Sequence, residues 1–301
     1  MNENIVIDKD IVEMNKKRLK KMKMKNTVNS AVRYSVLIIV GFIMLYPLLW
    51  MIGSSFKTNA EIFSSVGFIP KSLNFDNYVK GWETSTEYSF TTYFINTFKI
   101  LVPKVFFTII STVITAYAFA RFKIPGKKIL FGILIGTLLL PEIVVRIPQY
   151  LIYKQFGWLD TYLPLIVPSA FGVDAFFVFM LVQLFREIPK DLEEAAEIDG
   201  CNTFQTLIYV LVPVLKPAII SVALFQFMWT MNDFMSPLIY LSSVEKYPVS
   251  IALKISMDAS AAVEWNKILA MSVIVLLPSL IIFFFAQKYF VDGVSSSGLK
   301  E

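Results

Sequence analysis

Histidine is absent from the sequence, and Cys201 is the only cysteine. One chain therefore cannot assemble a disulfide, a Cys/His zinc site or a Cys–His nucleophile. No Ser-His-Asp set is present either, and the acids that would be needed for general acid–base chemistry lie mostly in polar loops. The sequence predicts no catalytic residue and no metal site, and so it argues against an enzyme.

Charged residues are also scarce. They make up 17% of the 301 residues, whereas a soluble domain has about a quarter, and 56% of the chain is hydrophobic. The net charge of +5 does not indicate nucleic-acid binding, because the basic residues gather beside apolar segments, as membrane topology requires. The composition predicts a protein embedded in a lipid bilayer, with no nucleic acid among its partners.

Six apolar segments are long enough to cross about 30 Å of hydrocarbon. They lie at about 31–54, 93–120, 129–148, 162–184, 217–241 and 268–290. We therefore predict an all-α, polytopic membrane protein with six transmembrane helices. It would comprise a basic N-terminal tail at 1–30, a membrane domain at 31–291 and a C-terminal tail at 292–301, with short surface helices in the loop at about 57–92.

The distribution of lysine and arginine predicts the orientation. Six spans put both termini on one side, and if that side is the cytoplasm, 18 basic residues lie inside and seven outside. Because basic residues favour the cytoplasmic side, we expect both termini to be cytoplasmic. The polar segment between the fourth and fifth spans, at about 186–216, would then face the cytoplasm too; we call it the acidic loop.

The acidic loop has the sequence of two short helices joined at a bend. Acids follow Pro189, at the helix start that favours negative charge, and Gly200 can adopt the left-handed conformation that ends a helix. Asn202 or Thr203 can cap the next helix. The alanines at 195 and 196 would form a thin face for close approach by another protein, so the loop is predicted to dock a partner.

Polar residues inside the spans are candidates for a substrate path, because they are costly in hydrocarbon. Glu142 and Arg146 are four residues apart, so they can pair, and nearby prolines predict an interrupted helix. They are interpreted either as path residues or as a self-satisfied ion pair. Asp174, for which Lys104 is a conceivable partner, should face the bundle interior, a partner permease or water.

The fifth span supplies three further path candidates. Asn232 and Asp233 offer hydrogen-bonding groups for a sugar, and Trp229 offers a ring for stacking. Asn and Asp also join helices to each other, and aromatic rings also simply pack, so structural roles stay open for these residues.

Several motifs resemble the permease subunits of binding-protein-dependent ABC importers. Glu194-Ala195-Ala196, Asp199-Gly200 and Pro213 resemble the EAA loop of that family. AYAFARFKIPGKK at 116–128, GWLDTYLPLIVPSAF at 157–171 and NDFMSPL at 232–238 resemble its carbohydrate branch, in the second partner of the maltose-type permease pair. The resemblance implies the type I ABC importer permease fold. It also assigns six residues of the acidic loop to ATPase coupling: Glu194, Ala195, Ala196, Asp199, Gly200 and Pro213.

The resemblance also implies the partners and the function. It implies a second homologous permease, two cytoplasmic ATP-binding subunits and an extracellular or periplasmic sugar-binding protein. Because the chain lacks GxxxxGK[ST], it would bind no cofactor itself, and ATP and magnesium would be held by the ATPases. The expected function is ATP-driven uptake of a di- or oligosaccharide across the bacterial cytoplasmic membrane. The alternatives are a secondary transporter for a small polar solute, or an ABC permease for a non-sugar solute such as glycerol phosphate.

Overall fold

The structure is a computed structural model, and it describes residues 3–83, 88–258 and 263–297. The chain divides into two compact units, Met1–Leu73 and Asn74–Glu301. All regular secondary structure in the described ranges is helical, which confirms the predicted all-helical class for that part of the chain.

The first unit contains the helices α1 (Glu3–Ser54) and α2 (Asn59–Ser64). From Glu3 onward, the basic stretch predicted as a tail belongs to the same continuous helix as the first apolar segment. Thr58 caps α2 by accepting a hydrogen bond from the Glu61 amide at 3.3 Å. Between the two helices Lys57 is fully buried, and its ammonium donates to the Gly67 carbonyl, so this basic residue of the predicted outer loop has a local structural role.

The second unit contains the remaining helices. They are α3 (Asp76–Glu83), α4 (Phe90–Arg121), α5 (Lys127–Thr137), α6 (Glu142–Gln155), α7 (Leu163–Ile166), α8 (Ala175–Glu187), α9 (Asp191–Ile198), α10 (Thr203–Gln205), α11 (Val212–Val214), α12 (Lys216–Asn232), α13 (Met235–Tyr240), α14 (Val249–Asp258) and α15 (Trp265–Ser297). A 3-10 segment follows α7 at Val167–Phe171, a π-helical segment joins α10 to α11 at Thr206–Leu211, and a 3-10 turn lies at Val244–Lys246.

Helix α4 is the central element of this unit, because it packs against α8 and α12 while α12 packs against α15. Its buried residues Val113, Ala116 and Tyr117 meet a continuous row of apolar side chains from α8. That core also includes Leu207 and Leu211 from the π-helical segment. The core therefore joins the acidic loop to two long apolar helices.

Three of the six predicted spans are interrupted. The third is divided at Pro141 into α5 and α6, which are bent by 104°, so the expected helix break is confirmed there, although Pro148 lies inside α6. The fourth is broken at Gly172, whose φ is +63°. The fifth ends at Asn232 and resumes as α13, which corrects the single helix predicted at 217–241.

The described helices provide between four and six candidate membrane crossings. Four stretches are long and apolar enough to cross alone, and one of them, Leu163–Glu187, runs through the break at Gly172. Two bent pairs, Lys127–Thr137 with Glu142–Gln155 and Thr203–Val214 with Lys216–Asn232, raise the number to six if each pair is one span. Helix α15 continues to Ser297, past the predicted start of the C-terminal tail at 292, and residues 298–301 lie outside the described residues. The cytoplasmic position of the termini stays a prediction.

The orientation can be tested by cysteine labelling in a Cys201→Ser background. Ser64 and Lys123 are both exposed. If the positive-inside assignment holds, Ser64→Cys should react with an impermeant maleimide in intact cells, and Lys123→Cys only after permeabilisation. The reverse pattern would invert the proposed topology.

Candidate functional site

The acidic loop forms the predicted pair of short helices with a bend between them. Helix α9 carries Asp191, Glu193 and Glu194 in its first turn, where the helix dipole favours negative charge. It ends before Gly200, whose φ is +85°. Asn202 caps the following helix by accepting from the Gln205 amide at 2.9 Å, while the Gln205 side chain accepts from the Asn202 amide at 2.9 Å.

Arg121, the last residue of α4, holds the acidic loop in place. Its Nη2 donates to the Ile188 carbonyl at 2.8 Å, and its Nε pairs with Glu193. The Arg121 side chain is 9% exposed and that of Glu193 19%, so water screens this pair little. The sequence-based interpretation missed Arg121. The one feature that could have identified it is its position as a single arginine at the polar end of an apolar helix.

The predicted coupling residues divide between the surface and the interior. Glu194, Ala195, Asp199, Gly200 and Pro213 are exposed. Ala196, however, is only 5% exposed, because α9 packs on the π-helical segment that follows it. The prediction that both alanines form an outward face is therefore corrected: Ala195 alone is presented, and Ala196 allows the two short helices to approach each other.

The exposed part of the acidic loop also carries apolar side chains. Ile198 is 86% exposed and Tyr209 71%, and Leu192 and Phe204 are exposed beside the acids. Apolar residues rimmed by charge are the usual composition of a protein interaction site. The geometry thus fits a docking surface that combines acids with apolar contact.

All six predicted path residues line one cleft of about 590 Å³. They are Glu142, Arg146, Asp174, Trp229, Asn232 and Asp233, and they are joined there by Lys104, Phe225, Gln226, Met228 and Ser236. A smaller adjoining pocket of about 140 Å³ shares several of these residues and adds Gln149, Tyr153 and Val173. We call the two together the polar cleft.

The charged pair on α6 is joined to a second helix. Arg146 Nη2 donates to Glu142 Oε1 at 2.6 Å, and its Nη1 donates to Ser236 Oγ on α13 at 3.1 Å. The Arg146 side chain is 11% exposed, whereas that of Glu142 is 80% exposed. Arg146 is thus a structural bridge between α6 and α13, while Glu142 presents its carboxylate to the open cleft.

The three acids of the polar cleft lie at the starts of three helices. Glu142 begins α6, Asp174 immediately precedes α8, and Asp233 Oδ1 accepts from the Ser236 amide at 3.0 Å near the start of α13. The positive end of each helix favours a carboxylate, which explains why acids are tolerated here. Asp174 Oδ2 also accepts from Thr108 Oγ1 at 3.4 Å. Lys104, the basic residue considered as its partner, lines the same cleft, and among the described residues no salt bridge within 4 Å joins the two.

The remaining path candidates combine structural contacts with accessible surface. Asn232 Nδ2 donates to the Met228 carbonyl of its own helix at 2.8 Å, and the residue is exposed where it lines the cleft. Trp229 is 48% exposed, and its ring stacks on Phe177 with 4.8 Å between centroids. The packing of one face against Phe177 fixes the indole while nearly half of the side chain stays accessible from the cleft.

The Arg121 anchor can be tested by hydrogen exchange of the solubilised protein. Arg121→Met leaves Glu193 without its basic partner, and breaking such a buried pair costs about 3–5 kcal/mol. Amides of α9 should therefore exchange faster, while Lys123→Met, an exposed change two residues away, should leave them unaffected. Equal protection of α9 in the Arg121 variant would contradict this role.

Similarity to known proteins agrees with this geometry. Residues 108–296 match the family described as the binding-protein-dependent transport system inner membrane component. The chain is 27% identical over 267 residues to the diacetylchitobiose uptake system permease protein NgcG of Streptomyces coelicolor, covering 88% of this chain and 87% of that protein. It is 31% identical over 255 residues to the probable ABC transporter permease protein YurM of Bacillus subtilis, covering 85% and 83%.

A solved structure shows the same architecture. The crystal structure of a bacterial ABC transporter involved in the import of the acidic polysaccharide alginate contains a chain that is 25% identical and superposes with a TM-score of 0.78, covering 88% of this chain and 98% of that one. The fold is that of type I ABC importer permeases, as the sequence resemblance implied. Since the family match spans well over half of the sequence and a relative above 30% identity covers most of it, the chain belongs to the binding-protein-dependent transport system inner membrane components.

Proposed function

We propose that this chain is one half of a permease pair that carries out ATP-driven uptake of a carbohydrate, specifically a di- or oligosaccharide. As a member of its family it is a multi-pass protein of the bacterial inner membrane and a transporter component. In the proposal a second homologous permease completes the path, and an extracellular or periplasmic solute-binding protein delivers the sugar. Two cytoplasmic subunits bind ATP and magnesium and supply the energy.

The observation that carries the proposal is the polar cleft. It combines the exposed carboxylate of Glu142 and the exposed amide of Asn232 with the accessible indole of Trp229. Sugars are recognised by such convergent hydrogen-bonding groups beside aromatic rings. The relatives support a carbohydrate as well, because one serves diacetylchitobiose uptake and the solved transporter imports alginate.

The charges of the polar cleft argue against a phosphorylated solute. Glu142, Asp174 and Asp233 supply three carboxylates, against the two cations Lys104 and Arg146. Arg146 is already engaged by Glu142 and Ser236. A phosphate would meet more like charge than opposite charge there, so glycerol phosphate is the weaker alternative. The secondary-transporter alternative is set aside, because the family depends on a binding protein.

The structure offers a direct route from the acidic loop to the polar cleft. Arg121 ties the loop to one end of α4, and Lys104 and Thr108 lie on the same helix, about 20–25 Å away along its axis. Helix α8, which Asp174 precedes, packs along α4 between these points. We propose that ATPase subunits grip the acidic loop through Glu194, Ala195, Asp199 and Gly200, and that α4 and α8 transmit the movement to the cleft.

A double substitution tests the path. Glu142→Gln with Arg146→Met removes both charges together, so no charge is stranded and insertion should stay at the parent level. If the pair serves the path, uptake of radiolabelled sugar into cells should fall about tenfold or more, because hydrogen-bonding groups are lost. The matched control is Asp76→Asn with Lys80→Met, an exposed pair on α3 outside the cleft. Parent-level uptake by the first double variant would make the pair a structural staple.

The bend at Gly200 can be tested by two substitutions with opposite expected results. No atom lies within 4 Å of a Cβ placed there, so only the backbone conformation limits replacement. Valine resists left-handed geometry, at a cost of about 1–2 kcal/mol, whereas asparagine tolerates it. Gly200→Val should reduce ATPase co-purification and uptake, and Gly200→Asn should retain both. Equal behaviour of the two variants would show that the left-handed bend is unimportant.

A further inference from the structure

Asp160 has an unusual backbone conformation. Among the described residues it is the one non-glycine residue with a positive φ, at +56°. It lies between α6 and α7, in the loop that the topology places on the outer side. Left-handed geometry at such a residue persists only where the surrounding contacts hold it, and it is common at clamps and switches.

The Asp160 side chain gathers one short segment around it. Its Oδ1 accepts from the amides of Ser242 and Ser243 at 3.0 and 2.9 Å, and its Oδ2 accepts from Ser243 Oγ at 2.5 Å and Lys246 Nζ at 2.7 Å. The Asp160 amide donates to the Tyr240 carbonyl at 2.8 Å. We call Asp160 and its four partners the Asp160 clasp.

Contacts continue from the clasp to the polar cleft. Tyr240 ends α13, and its hydroxyl donates to Gln149 Oε1 on α6 at 3.4 Å. Tyr240 also meets the Tyr153 ring edge-on, with 5.2 Å between centroids. At the other end of α13, Ser236 accepts from Arg146. Helices α6 and α13 are therefore joined along their length, from the clasp to Arg146 in the cleft.

Independent contacts to α4 separate the clasp from a simple folding staple. The neighbouring segment is already fixed to α4, because Asn96 Nδ2 donates to the Glu245 and Tyr247 carbonyls and Thr97 Oγ1 accepts from the Val249 amide. Burial alone would raise the pKa of Asp160, but hydrogen bonds from Lys246 and Ser243 hold it well below the ordinary value. The ion pair is thus intact throughout the neutral pH range.

We propose that Asp160 is a positioning residue for transport: the clasp makes the outer loop at 240–246, α13 and α6 move together. Engagement of the delivering protein at the outer surface would then reach Arg146 in the polar cleft. This inference rests on the proposed function. Asp160 itself lines neither the cleft nor the acidic loop, so it acts through α13, whose Tyr240 accepts from the Asp160 amide and lines the smaller pocket of the cleft.

The test uses the complete transporter in proteoliposomes, with ATP hydrolysis measured with and without sugar-loaded binding protein. Asp160→Asn keeps the size and tolerates the left-handed backbone, and Lys246→Met keeps the aliphatic stem; each removes the ion pair. In both variants the stimulation of ATP hydrolysis by binding protein should fall about fivefold or more, which is a usual size for coupling between two sites. ATP hydrolysis without binding protein should be unchanged. Glu264→Gln, which breaks the separate pair with Lys267, is the matched control and should keep full stimulation.

A second readout reports on the cleft itself. Val173 is exposed and lines the polar cleft, so Val173→Cys in a Cys201→Ser background reports its accessibility. Adding binding protein should change the rate at which maleimide labels Val173→Cys in this Cys201→Ser background. The same addition should leave the rate unchanged when Asp160→Asn is also present. The double variant at Asp160 and Lys246 should resemble each single variant, because one interaction is lost in all three.

Each contrary outcome is distinct. Retention of full stimulation and of the labelling change by both single variants would overturn the proposal. Loss of both variants from the membrane would do so too, because the clasp would then be a folding element only. A parent transporter that binding protein does not stimulate would instead contradict the proposed function, before the clasp is considered.

Discussion

The strongest constraint on this structure is that backbone amides and carbonyls inside the bilayer must find hydrogen-bond partners within the protein or in a wet cavity. Hydrocarbon offers no partner for a free amide or carbonyl, so a helix break within a span is tolerated only beside protein or a wet cavity. Three breaks, at Pro141, Gly172 and Asp233, adjoin the polar cleft. Each exposes the positive end of a following helix, and each has an acid there: Glu142, Asp174 and Asp233 itself. The cleft's charge thus follows from its broken helices.

This origin changes how the acids are interpreted. A carboxylate that compensates a helix start is partly structural, and Asp233 shows this most clearly, since its side chain already accepts an amide hydrogen bond. Glu142 differs, because its side chain is 80% exposed and its partner Arg146 has a second anchor in Ser236. Among the three, Glu142 is the exposed acid and therefore the one most accessible to a ligand.

The sequence could predict what depends on local chemistry. Helix dipoles, a left-handed glycine and a capping side chain are encoded within a few residues, so the two helices of the acidic loop and the bend at Gly200 are confirmed. Polarity within apolar segments identified six residues that prove to share one cleft. Contacts between distant segments carry no such signal. Arg121 with Glu193, Asp160 with Lys246 and the burial of Ala196 each depend on how helices pack, and sequence reasoning missed them.

The same long-range contacts determine how movement can pass through the molecule. Arg121 fixes the acidic loop to one end of α4, and the Asp160 clasp fixes a loop at 240–246 to α6 and α13. Between them, α4 packs against α8 and α12 through closely fitted apolar side chains, which shift as units because a packed core deforms little. The polar cleft is lined by Lys104 of α4 and by Arg146 and Ser236 of the helices that the clasp joins, and Asn96 of α4 also donates to the Glu245 carbonyl of the loop at 240–246. If the proposed coupling operates, a displacement of either anchor changes the spacing of the charged groups in the cleft, which is the physical requirement for linking events at two distant surfaces to a path between them.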